Sequence, residues 1–444
     1  MIKFIRSIYL TKRLFIAIGV CALVFALSFS LPVFFVLGKL LLITILMAVA
    51  VDMLLLYLPR QAFYATRTLP ERFSNGDNND VVIYAENRYR FPVKIGIIDE
   101  VPEQFQMRHF SILQAVAAGE TQVVTYQLRP VKRGEYIFGA LNIYLRGQIG
   151  FIDRRYTFDT GKMVRVYPSF LQMRRYELMA IHNNLTDLGI KKILKIGHTM
   201  EFEQIKNYVV GDDYRTVNWP ATARKAELMV NQFQDERSQN IYSIIDKGRL
   251  MKMPFEGLSL LDYAINSSLV LSNIAIGKHD KAGVITFSDK LSPVVAADKG
   301  AWQMNRIMES LYMQKTFYLE SNFELLHTAI RNKINQRSLL MLYTNFESLS
   351  SMQRNLRYLR AISKNHVLVV VFFVNTELKS LMEGDTRSVE DIYVKTIAEK
   401  FEFEKRRIVK ELNLYNIYSI LTTPKGLTVE VINKYLEVKA RGLI

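Results

Sequence analysis

Hydrophobic patterning divides the chain into three regimes. The first is continuous. Leu14 to Leu37 runs 24 residues without a charge, and Leu40 to Leu58 runs 19 with Asp52 as its one charge. Each matches the roughly 17–25 apolar residues that a spanning helix needs. Gly38 and Lys39 separate the runs, with Pro32 an alternative place for the bend, so residues 1–59 are expected to form a two-helix transmembrane hairpin. A cleaved signal peptide does not fit, because the first run is too long and the second follows at once. Lys3, Arg6, Lys12 and Arg13 before the hairpin, and Arg60, Arg67 and Arg72 after it, outweigh Lys39 in the turn. The positive-inside rule then predicts a multi-pass inner-membrane protein with the bulk of the chain cytoplasmic. Asp52 is expected to reach toward the interface and to bond within the hairpin.

The second regime, residues 60–170, alternates with a period of two. "DVVIYAENRY", "VKIGIIDEVP", "TQVVTYQLRP", "GEYIFGALNIYL" and "KMVRVYP" read as strands, with turn signals such as Asn75-Gly76-Asp77 and Gly119 between them. This spacing predicts a small all-β, immunoglobulin-like sandwich. His109 stands alone there and reads as a solvated or satisfied histidine.

Residues 171–239 read as a helix followed by a charge-rich connecting segment. Asp212, Asp213, Arg215, Arg224, Lys225, Glu227, Asp235, Glu236 and Arg237 surround Trp219. Two readings stand: a recognition surface with an aromatic anchor, or a charge network that pins the loop across the next domain's sheet. From residue 240 to 444 the third regime alternates strands and helices. "NIYSIID", "AGVITF", "SLLMLYTN", "VLVVVFF" and "NIYSILTT" are strands; helices fall at Leu258 to Lys278, Trp302 to Met313, Phe323 to Lys333, Met352 to Ile362 and Val389 to Leu412. This predicts an α/β doubly wound sheet with helices on both faces. The run Glu399 to Glu411 reads as a solvated helix face with i,i+4 pairs.

Composition narrows the function. The net charge is +16, split as +4 over residues 1–59, +4 over 60–170 and +8 over 171–444. No basic block with interleaved aromatics stands out, so membrane lipid is the expected anionic partner and nucleic acid is not. Cys21, the one cysteine, excludes an intramolecular disulfide.

The chemistry of interest begins at "IYSIIDKGRLM", where an apolar strand ends in Asp246 and is followed by Lys247, Gly248, Arg249 and Leu250. "GDDYRTVNWPATAR", "DERSQ", "IDKGRLM" and "INKYLEVKARGLI", together with the order of parts, resemble the domain of unknown function 58 family. The resemblance implies a von Willebrand factor A-like domain and association with MoxR-type AAA+ ATPases in the assembly or activation of other proteins. Such domains often hold a divalent cation on an Asp-x-Ser-x-Ser loop, a threonine and a second aspartate. Here Asp246 aligns with the first aspartate, but Gly248 and Leu250 stand where the serines would be. Thr344-Asn345-Phe346 offers an amide in place of the second carboxylate, and Ser321 and Asn322 are what the second loop supplies. One carboxylate beside two cations is a poor set for a hard ion that demands oxygen ligands. No metal or cofactor is expected. An ion pair of Asp246 with Arg249, Lys247 or a residue of the 206–239 segment is expected to replace it.

Three function classes follow. The favoured one is a non-enzymatic membrane-anchored adaptor, with Asp212, Asp213, Arg215, Trp219, Arg224, Asp246, Lys247, Arg249 and Asn345 as candidate partner-binding residues. The alternative is a hydrolytic or other enzyme with a site at the carboxyl edge of the α/β sheet. No H-E-x-x-H, G-x-S-x-G or phosphate-binding Gly-Lys-Ser/Thr motif supports it. A transporter would need more than two spans.

Overall fold

The structure is a computed structural model. It describes residues 6–29, 31–59, 61–107, 110–158, 161–171, 173–174, 201–210, 212–234, 238–255, 257–316, 318–374 and 389–443. The chain divides into two compact units, Met1–Tyr167 and Pro168–Ile444. His109, Asp235, Glu236, Arg237 and most of the expected helix after residue 171 lie outside the described residues.

In the first unit the apolar stretch folds as helices Lys12–Leu27 and Val33–Tyr57. The break falls at Pro32, and Gly38 and Lys39 continue the second helix. Gly38 serves packing, because a Cβ there would lie 2.9 Å from the Phe25 ring. Among the described residues two helices are long and apolar enough to cross a membrane, Val33–Tyr57 and Leu260–Gly277, and the second is 78% buried inside its own unit. Lys12–Leu27 has 16 residues, about 24 Å of helix, which is shorter than the span expected there.

Asp52 does not bond within the hairpin. Its Oδ2 accepts the backbone N–H groups of Phe151 at 2.9 Å and Ile152 at 3.0 Å. Gly147 leaves room for the carboxylate, since a Cβ there would lie 2.9 Å from Oδ1. The Tyr89 hydroxyl donates to the Leu56 carbonyl at 2.7 Å. The last turns of Val33–Tyr57 are therefore bonded to the β region.

That region is not a two-sheet sandwich. One five-stranded antiparallel sheet runs Ile8–Leu10, Ile152–Phe158, Leu141–Arg146, Val93–Asp99, Ile112–Val116. A second sheet joins Phe63–Thr68, Asn79–Asn87 and Thr121–Leu128; a third joins Arg72–Ser74, Lys162–Tyr167 and Gly134–Phe138. The expected strand "GEYIFGALNIYL" breaks at Gly139 and Ala140, and its halves lie in different sheets. Gly139 suits this corner, as a Cβ would fall 2.8 Å from the Glu100 Cβ. Alternation along Asn79–Asn87 sends Val81, Ile83 and Ala85 inward to meet Ile95, Ile97 and Leu145 in one core.

In the second unit a six-stranded sheet has the order Val295–Asp298, Lys281–Phe287, Asn240–Asp246, Leu339–Tyr343, Val367–Phe373, Tyr418–Thr422. It is mixed, because Val295–Asp298 pairs antiparallel with Lys281–Phe287. Two further two-stranded ribbons stand apart, Glu201–Asn207 with Met229–Gln234 and Pro254–Phe255 with Leu258–Ser259. Mixed and separate sheets replace the expected doubly wound architecture. The reason is local: residues 288–294 are too few for a parallel crossover, which takes a dozen or more, so the chain returns antiparallel.

Helix Leu260–Gly277 begins with a capping box between Ser259 and Asp262 and is buried along most of its length. At the amino ends of the strands, Asp280 accepts from the Gln239 backbone at 3.1 Å, the Tyr435 hydroxyl at 2.6 Å and Lys439 Nζ at 2.6 Å. This ties the terminal helix Leu427–Ala440 to the sheet.

Gly283 is a close-approach position. A Cβ there would lie 2.5 Å from the Tyr242 ring and 2.8 Å from the Val295 carbonyl. Gly283→Ala is expected to cost about 1–3 kcal/mol through overpacking, and to loosen the edge strand first. Hydrogen exchange across Val295–Asp298 measures it; unchanged protection there would show that the strand does not depend on this gap.

Candidate functional site

Asn240–Asp246 pairs in parallel with Lys281–Phe287 on one side and Leu339–Tyr343 on the other. Ligands of open α/β sheets bind beyond the carboxyl ends of such strands, where the chain leaves in opposite directions. Asp246 ends this strand and is buried. Its Oδ1 accepts the Gly248 N–H at 2.7 Å and the Ser321 hydroxyl, and its Oδ2 accepts the Thr344 hydroxyl at 2.6 Å. Burial pushes the carboxyl above the usual carboxylate range, and these three donors pull it partly back.

Position 248 has an ordinary φ of −65°, so space and not backbone conformation calls for glycine. A Cβ there would lie 2.2 Å from the Ser321 hydroxyl oxygen. The hydroxyl that Gly248 lacks is supplied from Ser321.

The cations go elsewhere. Lys247 Nζ donates to Ser292 Oγ at 2.6 Å and Gln314 Oε1 at 3.0 Å, and burial lowers its pKa. Arg249 faces Glu320 at 3.5 Å, and both side chains are more than half exposed, so the pair adds little to stability. Asn345 Oδ1 accepts Lys405 Nζ at 2.6 Å, and the same amine reaches the Phe346 carbonyl at 2.5 Å. Burial brings the Lys405 pKa down to about 8, against an upward pull from Glu347. The expected ion-pair substitute is thus corrected: Asp246 is answered by two hydroxyls and an amide, and Lys247 and Lys405 by neutral oxygens.

Sequence pattern alone does not single out Lys405. Its charge run looked solvated, yet Ile408 and Leu412 at i+3 and i+7 are buried, and that spacing was the available signal.

A divalent cation fits this edge poorly. The donor set holds one carboxylate, both of whose oxygens already accept hydrogen bonds, whereas magnesium favours several free oxygen ligands. Among the described residues, no group of three or more His, Cys, Asp or Glu side chains is placed to hold a metal.

The remaining candidates lie on the ribbon Glu201–Asn207/Met229–Gln234 and its connection. Asp212 accepts Lys206 Nζ at 2.9 Å and the Val209 N–H at 3.0 Å, and the lysine holds its carboxyl below the usual range. Asp213 caps the turn Tyr214–Thr216 through the Arg215 N–H, and Asn218 caps the helix Trp219–Lys225. Trp219, Arg215 and Arg224 are exposed. The nine candidates therefore fall into two groups, Asp246, Lys247, Arg249 and Asn345 at the sheet edge and Asp212, Asp213, Arg215, Trp219 and Arg224 on the ribbon.

Comparison with known proteins covers both groups. A family model described as "Protein of unknown function DUF58" matches residues 204–405, ending on Lys405. The protein of Bacillus subtilis (strain 168) named uncharacterized protein YeaD is 25% identical over 205 residues, 44% of this chain and 50% of its own. The chain thus spans about half the length of the curated relative it matches. Among solved structures, proximal thread matrix protein 1 from the mussel byssus is 10% identical with a TM-score of 0.26, covering 46% of each chain. The CARDB domain of a Pyrococcus furiosus protein is 12% identical with a TM-score of 0.18, covering 24% of this chain and 94% of its own.

Proposed function

We propose that the chain is a non-enzymatic, membrane-anchored interaction protein of the bacterial inner membrane, with most of its length cytoplasmic, working with a MoxR-type AAA+ ATPase. The observation that carries this reading is a contrast. The buried groups of the sheet edge are bonded within the fold, whereas apolar surface is open on the helical pair and on the ribbon connection, among other places. The Asp246 carboxyl oxygens, the Lys247 amine and the Lys405 amine all have protein partners.

The first open surface is the helical pair. Phe15, Ile16, Val20 and Leu23 on one helix, and Val36, Leu40, Ile43 and Met47 on the other, are exposed. Asp52 and Leu56 are buried, which leaves Val33 to Val51 for lipid, about 28 Å of helix against a hydrocarbon core of about 30 Å. The second open surface is the ribbon connection with Tyr214 and Trp219.

Affinity capture of the full-length protein from gently solubilised native membranes, with and without ATP, tests the reading. Nucleotide-dependent enrichment of an AAA+ ATPase is expected. Its absence, or ATP-independent substrate turnover by the purified chain, overturns it.

A further inference from the structure

The connection between the two ribbon strands carries a block of exposed aromatic and charged side chains. Val210 is 95% exposed, Tyr214 72% and Trp219 69%, with Val209 and Leu228 also open. The backbone beneath them is ordered by its own bonds. Asn218 accepts the Ala221 N–H at 3.0 Å, Thr222 Oγ1 accepts the Met229 N–H at 3.0 Å, and Val217 bridges to Val230. The aromatic rings are therefore held outward by a built scaffold. A two-stranded ribbon is marginal in water without packing on one face, and tryptophan, tyrosine and arginine are the residues that dominate binding interfaces.

Charge on this connection is sorted. Asp212 and Asp213 are half-buried and turn onto backbone N–H groups and Lys206. Glu227 is exposed and accepts from Asn207 at 3.0 Å. Arg215, Arg224 and Lys225 are exposed, and the Arg215 guanidinium lies 5.8 Å from the Tyr214 ring. The cations face outward while two of the three anions face inward.

We propose that this face is the docking site for an acidic, aromatic-containing segment of a partner protein, with Tyr214 and Trp219 as anchors and Arg215, Arg224 and Lys225 meeting its carboxylates. This rests on the interaction-protein reading and names the chemistry of the partner. A protein segment suits the face better than a bilayer surface does. Lipid-binding helices present a continuous apolar face beside a Lys/Arg-rich one, whereas this face sets Tyr214 and Trp219 among discrete cations with the exposed Glu227 beside them, a pattern that fixes register between two proteins.

The chain has two tryptophans, and Trp302 is 83% exposed, so Trp302→Phe leaves Trp219 as the single reporter in the full-length protein in nonionic micelles. The probe is a random glutamate–tyrosine copolymer, with the lysine–tyrosine copolymer and phosphatidylglycerol vesicles as counter-probes. The acidic copolymer is expected to shift Trp219 emission to the blue and to saturate. Arg215→Gln, Arg224→Gln and Lys225→Gln together are expected to weaken binding at least about tenfold, and salt to weaken it further. Equal response to the basic copolymer, an unchanged affinity in the triple variant, or a response to vesicles alone overturns the proposal. ATPase capture can fail while this titration succeeds, because the copolymer presupposes no ATPase. Capture that survives in the triple variant, with no copolymer binding to the parent, keeps the adaptor reading and removes the contact from this face.

Discussion

Asp99→Ala is expected to cost the first unit about 3–5 kcal/mol, the penalty for removing one partner from a fully buried ion pair. Arg67 and Asp99 pair with both side chains at zero exposure. The other carboxyl oxygen accepts the Tyr126 hydroxyl, and the guanidinium also reaches the Gly139 carbonyl at 3.1 Å and lies 4.9 Å from the Phe138 ring. Burial raises the Asp99 carboxyl above its ordinary range even though Tyr126 and Arg67 pull it down, so desolvation dominates. Truncation takes the Asp99 carboxylate away from a buried guanidinium at the corner where the chain passes between sheets. Replacing both partners, Arg67→Met with Asp99→Leu, is expected to recover most of the loss, because a well-packed apolar pair avoids desolvation altogether. Hydrogen exchange over Asn79–Asn87 and Thr121–Leu128 in the full-length chain reads both variants. A double variant no better than Asp99→Ala would mean that the network, and not the burial, holds the corner.

The contrast between this network and the strands around it shows where sequence pattern carries information. Val367–Phe373 is buried at every position, so its unbroken apolar run identified both its ends. Helix Phe323–Lys333 likewise has the ends that its 3.6-residue period indicated. Patterns fail where one residue type serves two purposes. Gly38 looked like a turn and instead admits the Phe25 ring; "GEYIFGALNIYL" has one alternation but two sheets. Val295–Asp298 and Ile8–Leu10 are too short to show a period.

Partners distant along the chain are invisible for a different reason. Asp52 meets Phe151 and Ile152, about a hundred positions away, and no spacing rule links them. At the sheet edge, Asp246 and Thr344 were placed by the strands that carry them. The hydrogen bonds among Asp246, Ser321 and Gly248 came from loop geometry that the pattern does not encode.

That geometry makes the second large prediction. Asp246→Ala leaves the Gly248 amide and the Ser321 and Thr344 hydroxyls without their acceptor. Each buried unsatisfied group costs about 1–3 kcal/mol, and a total loss of about 3 kcal/mol is expected because hydroxyls can rotate to other partners. Asp246→Asn keeps the volume and one acceptor oxygen and is expected to cost about 1 kcal/mol at neutral pH. The pH dependence separates a closed network from a cation site. Burial raises the carboxyl in the folded state, so its contribution is fully present below the ordinary carboxylate pKa of about 3.9 and is lost as pH rises through the folded value. The advantage of Asp over Asn, taken from denaturation midpoints of the two full-length proteins, is therefore expected to shrink as pH rises. A carboxylate held ionised by a bound cation gives the opposite slope, since its advantage would grow with pH. A magnesium-dependent rise in Tm of the parent, absent in Asp246→Asn, would point the same way. Either result would reopen the edge as a ligand site, because the Ser321 and Thr344 hydroxyls would then turn their lone pairs outward instead of donating to Asp246.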